Sequence, residues 1–88
     1  MATLHVELVA ADRKVWEGEA RSVSARGTEG ELGILPGHAP LMTVLADGDI
    51  QIKGVESSQR VHIDSGFLSV DENIVRIVAE TVSEPTQG

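Results

Sequence analysis

The chain has 88 residues, no cysteine, and seven Lys and Arg against fourteen Asp and Glu, for a formal net charge of −7. This length makes one domain, which must be held by packing and backbone pairing without disulfides or thiolate metal sites. The acidity disfavours nucleic-acid phosphates and anionic lipid as direct partners, and Trp16 and Phe67, the only Trp, Tyr or Phe residues, are too few to form a stacking platform. The absence of cysteine fits a reducing compartment. The first ten residues have no basic region and include Glu7, unlike a signal peptide, and no apolar run approaches the roughly 20 residues of a spanning helix. The expectation is a cytosolic chain, or one peripheral to a larger assembly.

Taken in chain order, the apolar residues alternate with a period of two. Leu4, Val6 and Leu8 alternate with His5 and Glu7. Val23 and Ala25 are followed by Ile50 and Ile52, then Val61 and Ile63, then Leu68 and Val70. Leu41, Met42, Val44 and Leu45 break strict alternation. That predicts either a strand between two sheets or side chains reserved for a partner, with Met42 as the one facing out. Residues 73–80 are nearly all apolar apart from Arg76 and read as a strand buried on both sides, or as a short helix. Turn signals recur about every ten residues, at Asp12-Arg13, Gly18, Pro36-Gly37, Asp47-Gly48, Ser65-Gly66 and residues 71–73. The fold class is all-β, a two-sheet β-sandwich of about ten short strands over residues 1–84, with a frayed polar tail at 85–88.

Searches for chemistry return little. His5, His38 and His62 form no H-x-H or H-x-x-x-H pair, and His62 with Asp64 gives two ligands where zinc takes three or four. There is no G-x-S-x-G elbow, so Ser65-Gly66 reads as a turn. Glu29 and Glu31 as an acid–base pair would be solvated on an exposed loop, a poor setting for acid–base chemistry. Residues 27–41 hold four of the nine glycines and two of the three prolines, but have no Lys to hold a phosphate. The glycines there serve backbone angles. Gly30, Gly33 and Gly37 are candidates for positive φ or tight turns, Pro36-Gly37 fits the centre of a type II turn, and Pro40 keeps Ala39 extended. A rigid loop carrying exposed acids suits the presentation of contacts to a partner.

The stretch from Gly30 to Ile50, "GELGILPGHAPLMTVLADGDI", resembles the ε subunit of the bacterial F-type ATP synthase, called δ in mitochondria. The G-x-L-G-x-L-P-G-H-x-P-L pattern is highly specific. Supporting matches run from His5 through the Trp16-x-Gly18 element, and from His62 to Glu80, where Ser65 stands in place of the first glycine of a G-G element. The resemblance covers roughly residues 4 to 82. It implies a rotor subunit of the central stalk, without catalytic residues or cofactors, that joins the γ subunit to the ring of c subunits and couples proton-driven rotation to ATP synthesis. It places Glu29, Gly30, Glu31, Leu32 and Gly33 toward the c-ring, and His38, Met42, Thr43 and Ala10 toward γ. For His38 a turn-stabilising hydrogen bond is an equal alternative. The implied location is the cytoplasmic face of the bacterial plasma membrane, reached through the complex, with no obligate homo-oligomer. The family usually continues into a C-terminal helical hairpin linked to inhibition of ATP hydrolysis, and in some members to ATP binding. Neither property is expected of these 88 residues. A free-standing β-sandwich for a small ligand and a small metal-dependent barrel enzyme are the competing readings.

Overall fold

The computed structural model describes residues 2–83 together with the backbone of Thr86–Gln87. It is built of nine strands: β1 (Leu4–Ala10), β2 (Arg13–Gly27), β3 (Gly30–Ile34), β4 (Leu41–Leu45), β5 (Gly48–Gly54), β6 (Ser58–Ile63), β7 (Gly66–Asp71), β8 (Ile74–Ala79) and β9 (Thr86–Gln87). The alternation in the sequence dictates this, because a period of two sends successive side chains to opposite faces of a strand.

Fifteen-residue β2 is shared by two sheets. Its first half pairs with β1, which pairs in parallel with β8, and β8 leads through β7 to β4. Its second half lies between β3 and β5, and β5 leads to β6 and β9. One pair, Gly27 with Leu45, joins β4 back to β2. The pairing of β2 with β5 slips between Ala20 and Ser22, leaving Arg21 as an extra residue. Such a bulge reverses which parity faces inward. Ala20 is buried before it, and Val23, Ala25 and Gly27 are buried after it.

The core lies between the sheets. Leu4, Val6 and Leu8 of β1 meet Ile34, Leu45, Ile50, Ile52, Ile63, Leu68, Val75 and Ile77, each at most 1% exposed. No polar or charged residue is buried among the described residues, so the interior is sealed by apolar packing alone.

The nine described strands agree with the expected all-β sandwich of about ten short strands. Other expectations need correction. Strand β8 is buried on one face only: Val75, Ile77 and Ala79 point inward while Ile74, Arg76 and Val78 point out. Its apolar run therefore reflects an apolar outer surface, not a second covering layer. The boundary expected between 84 and 85 lies outside the described residues, as do 85 and 88; within the expected tail, Thr86 and Gln87 pair with Arg60 and Gln59. Gly33 sits within β3 without positive φ; the glycines with positive φ are Gly30, at 134°, and Gly37, at 88°.

Neighbouring positions on β8 separate the two faces. Ile77→Ala is expected to cost about 2–5 kcal/mol, the range for emptying a packed aliphatic site. Val78→Ala should cost less than half as much, its side chain being exposed. Urea unfolding of both variants checks this, and equal costs would contradict the assignment of faces.

Candidate interaction surfaces

The outer face of the first sheet carries an apolar band. Cross-strand pairing places Val44 of β4 opposite Phe67 of β7, Phe67 opposite Val78 of β8, and Val78 opposite Val9 of β1. Met42 lies two residues from Val44 on the same face. Met42 is 76% exposed, Phe67 56%, Val44 48% and Val78 42%. Apolar side chains aligned across adjacent strands and left open to water mark a contact surface.

A charged network runs beside this band over β8, β1 and β2. Arg76 donates from Nε to Glu7 at 2.9 Å, and Lys14 Nζ lies 3.5 Å from the other Glu7 oxygen and 2.6 Å from Glu17. Glu17 and Glu19 both face His5, and Thr3 donates to Glu19 at 2.7 Å. The hydrogen bond from Arg76 holds the Glu7 carboxyl below its ordinary range, with Lys14 adding to the effect. Glu17 in turn holds the Lys14 ammonium above its ordinary value.

The glycine-rich loop is fixed at both ends of β4. At one end, the β2–β3 hairpin turns through Thr28 and Glu29, with Gly27 paired to Gly30. Thr28 N–H donates to the Val44 carbonyl at 3.3 Å, and Ala46 N–H to the Arg26 carbonyl at 2.9 Å. At the other end, His38 N–H donates to the Leu35 carbonyl at 3.1 Å, closing a turn with Pro36 and Gly37 at its centre. Gly37, at φ 88°, supplies the left-handed angle that a type II turn requires at its third residue. The Asn73 side chain then accepts the Gly37 N–H at 2.7 Å, while the Asn73 carbonyl accepts the His5 N–H at 2.8 Å. Asn73 and Glu72, both at positive φ, form the two-residue turn between β7 and β8. Asn73 therefore ties the loop and β1 to one hairpin. Residues 71–73 read as a turn from the sequence, but a contact across 36 residues leaves no local pattern that would show this role.

The expected site residues divide into several groups. Glu29, Gly30, Glu31 and Gly33 are exposed, and Glu31 stands opposite Arg26 on the outer face of the second sheet. Leu32 is half-buried and packs against the core. Met42 faces out as expected, but Thr43 belongs to the inward-facing set with Leu41 and Leu45 and is half-buried. Ala10 is 3% exposed, because the parity of β1 turns it into the core. It offers no side chain to a partner. His38 is half-buried, and its Nδ1 donates to the Ala39 carbonyl at 2.7 Å, as the turn-stabilising alternative requires. Val44 was one of four residues that the broken alternation offered to a partner, while Phe67 and Val78 were not offered as contacts by the sequence. The signal was present in their places opposite one another, but reading it requires the strand order.

Other chemistry has little footing. Among the described residues no group of three or more His, Asp or Glu is arranged to hold a metal ion, and no helix is long and apolar enough to cross a membrane. The recesses beside Trp16 and Val55, and beside Glu31 and Arg60, are shallow and open to solvent.

These features define a small β-sandwich built for contact, with one apolar outer band and one anchored, acid-bearing loop. Residues 3–85 match the family model described as the ATP synthase Delta/Epsilon chain beta-sandwich domain, and the chain belongs to that family. The chain is 48% identical over 80 residues to the ATP synthase epsilon chain of Streptomyces avermitilis, covering 90% of this chain and 64% of that one. It is 44% identical over 80 residues to the ATP synthase epsilon chain of Micrococcus luteus, covering 90% of this chain and 88% of that one. The fold matches a chain in the cryo-EM structure of the Euglena gracilis mitochondrial ATP synthase OSCP/F1/c-ring assembly. There the TM-score is 0.89 at 24% identity, over 97% of this chain and 54% of that one. The chain thus spans just under two thirds of the Streptomyces relative.

Asn73→Gly keeps the positive φ but removes the side-chain acceptor. The Gly37 amide should then exchange with solvent roughly 2- to 10-fold faster, the equivalent of one ordinary hydrogen bond. Hydrogen exchange followed by NMR reads this directly, and an unchanged rate would show that Asn73 does not hold the loop.

Proposed function

We propose that this chain is a non-catalytic central-stalk subunit of an F-type ATP synthase. In this reading it joins γ to the c-ring and couples proton-driven rotation to ATP synthesis. The observation that carries the reading is the pairing of an apolar band with an anchored acidic hairpin in a member of the delta/epsilon family. The band of Met42, Val44, Phe67 and Val78 is the surface for γ, where apolar burial supplies affinity. The exposed Glu29–Gly33 segment meets the c-ring, with Glu31 opposite basic groups. Thr28 and Ala46 hold that segment to the end of β4, so force applied at the hairpin passes into the strand that carries Met42 and Val44. The complex brings the chain to the cytoplasmic face of a bacterial plasma membrane as a peripheral component. A small-ligand module is disfavoured by the open recesses, since ligand sites are enclosed and convergent.

Titration of the 88-residue chain against purified γ, with ATP hydrolysis of the catalytic complex followed in the same samples, tests this reading. The expected result is saturable binding with hydrolysis unchanged. Absence of binding would overturn it, and strong inhibition would contradict the assignment of a coupling role alone. Phe67→Asp should weaken γ binding at least about tenfold, because a charge without a partner is costly to bury. Glu31→Lys should leave γ binding intact and lower proton-coupled synthesis in membranes. A Phe67→Asp variant that binds γ as tightly as the parent would move the interface elsewhere.

A further inference from the structure

Two histidines on different sheets are built alike. His5 of β1 lies between two carboxylates of β2, with Nε2 2.7 Å from Glu17 and Nδ1 2.9 Å from Glu19. His62 of β6 lies between two acids beside it, with Nε2 2.9 Å from Asp47 and Nδ1 2.9 Å from Asp49. Glu17 and Glu19 are two residues apart on β2, so both reach the same face of the sheet. Asp47 reaches His62 from the turn before β5 and Asp49 from β5 itself. A neutral imidazole has one N–H and one lone pair. It can satisfy one carboxylate but must turn its lone pair toward the other. With both carboxylates ionised, only the doubly protonated ring donates to each.

We propose that these are imidazolium clamps, and that together they form a proton-sensitive fastening of the sandwich surface. Protonated, His5 closes the network that runs from Arg76 through Glu7, Lys14 and Glu17 to Glu19 and Thr3, binding β8, β1 and β2 together. Protonated, His62 fastens β6 to the turn that leads from β4 into β5. Deprotonation opens both and removes two positive charges, returning the chain to the formal net charge of −7 that counts histidine as neutral. It also releases one oxygen of each flanking carboxylate from its imidazole, while Lys14 still holds Glu17 and Thr3 still holds Glu19.

The surroundings favour the charged form. Lys14 and Arg76 face the His5 network but are each engaged by Glu7 or Glu17, and Asp71 and Glu72 lie beyond Ile74 on the same side. Around His62 the described charged groups are Asp47 and Asp49, then Arg60 on its own strand, Asp64 just past the end of that strand, and Lys53 on β5. Asp64 is occupied by the amides of Ser65 and Thr81. Both imidazoles lie above their ordinary pKa. For His5 the main cause is the hydrogen bond with Glu19, then that with Glu17; for His62 it is the hydrogen bond with Asp49. Their folded pKa values are raised, so the stability they contribute is complete below about pH 6.5 and is lost as pH rises through the folded values. The carboxyls of Glu17 and Glu19 are lowered, so their contribution is present above the ordinary carboxyl range and is lost on acidification. Both histidines are substantially exposed, so salt weakens the clamps.

The test is an NMR pH titration of the imidazole 15N signals in the 88-residue chain at low and high salt. Both rings are expected to titrate above 6.5, with midpoints falling toward 6.5 in high salt. Glu17→Gln with Glu19→Gln should lower the His5 midpoint and leave His62 unmoved, and Asp47→Asn with Asp49→Asn should do the reverse. The Tm of the parent should fall between pH 6 and pH 9, and fall less in His5→Gln/His62→Gln. Midpoints at or below 6.5 in the parent would overturn the proposal, whatever the variants do. A Tm slope unchanged by the double His substitution would do the same.

Discussion

Strand β2 must lie in two sheets at once, and the extra residue at Arg21 permits this. Without a change of parity, the side chains that face the core beside β1 would alternate wrongly beside β5, and Val23 and Ala25 would point to water. A one-residue slip inverts every side chain beyond it. The bulge lets Ala20 and Val23 both point inward, and the two sheets close around one apolar interior. Among the described residues no buried polar group interrupts that interior.

The outer faces of the two sheets differ. On the second, Ser22, Ser24, Gln51, Lys53 and Arg60 follow the pattern of a solvated face. On the first, β4, β7 and β8 place Val44, Phe67 and Val78 in one row, with a charged network beside them. An apolar band of this kind lowers the solubility of a free chain and favours a covered state. The glycine-rich loop runs past this face and is pinned at both ends of β4, at Val44 and at Asn73. Anchoring at two points gives the loop a fixed geometry.

Much of this was legible in the sequence, for physical reasons. Alternation identified the strands because one face of each is buried, and Pro36-Gly37 identified its turn because the required backbone angle belongs almost to glycine alone. The outward direction of Met42 was legible because methionine suits adaptable contact surfaces. Residues 73–80 were misread because an outward apolar face and a second buried face produce the same apolar run. The inward direction of the Ala10 side chain was not legible, because its position in the motif says nothing of the parity of β1. Phe67, Val78 and Asn73 were missed because their roles depend on neighbours far away in sequence, and the pairing of Val44 with Phe67 and Phe67 with Val78 appears only once strand order is known.

The most direct measurement is methyl NMR of the chain alone and with saturating γ. Shifts at the methyls of Met42, Val44 and Val78, with Val55 on the β5–β6 turn unmoved, are the predicted result. Shifts centred on Val55 and Leu35, with Met42 and Val44 unchanged, would contradict the assignment of the apolar band as the docking face.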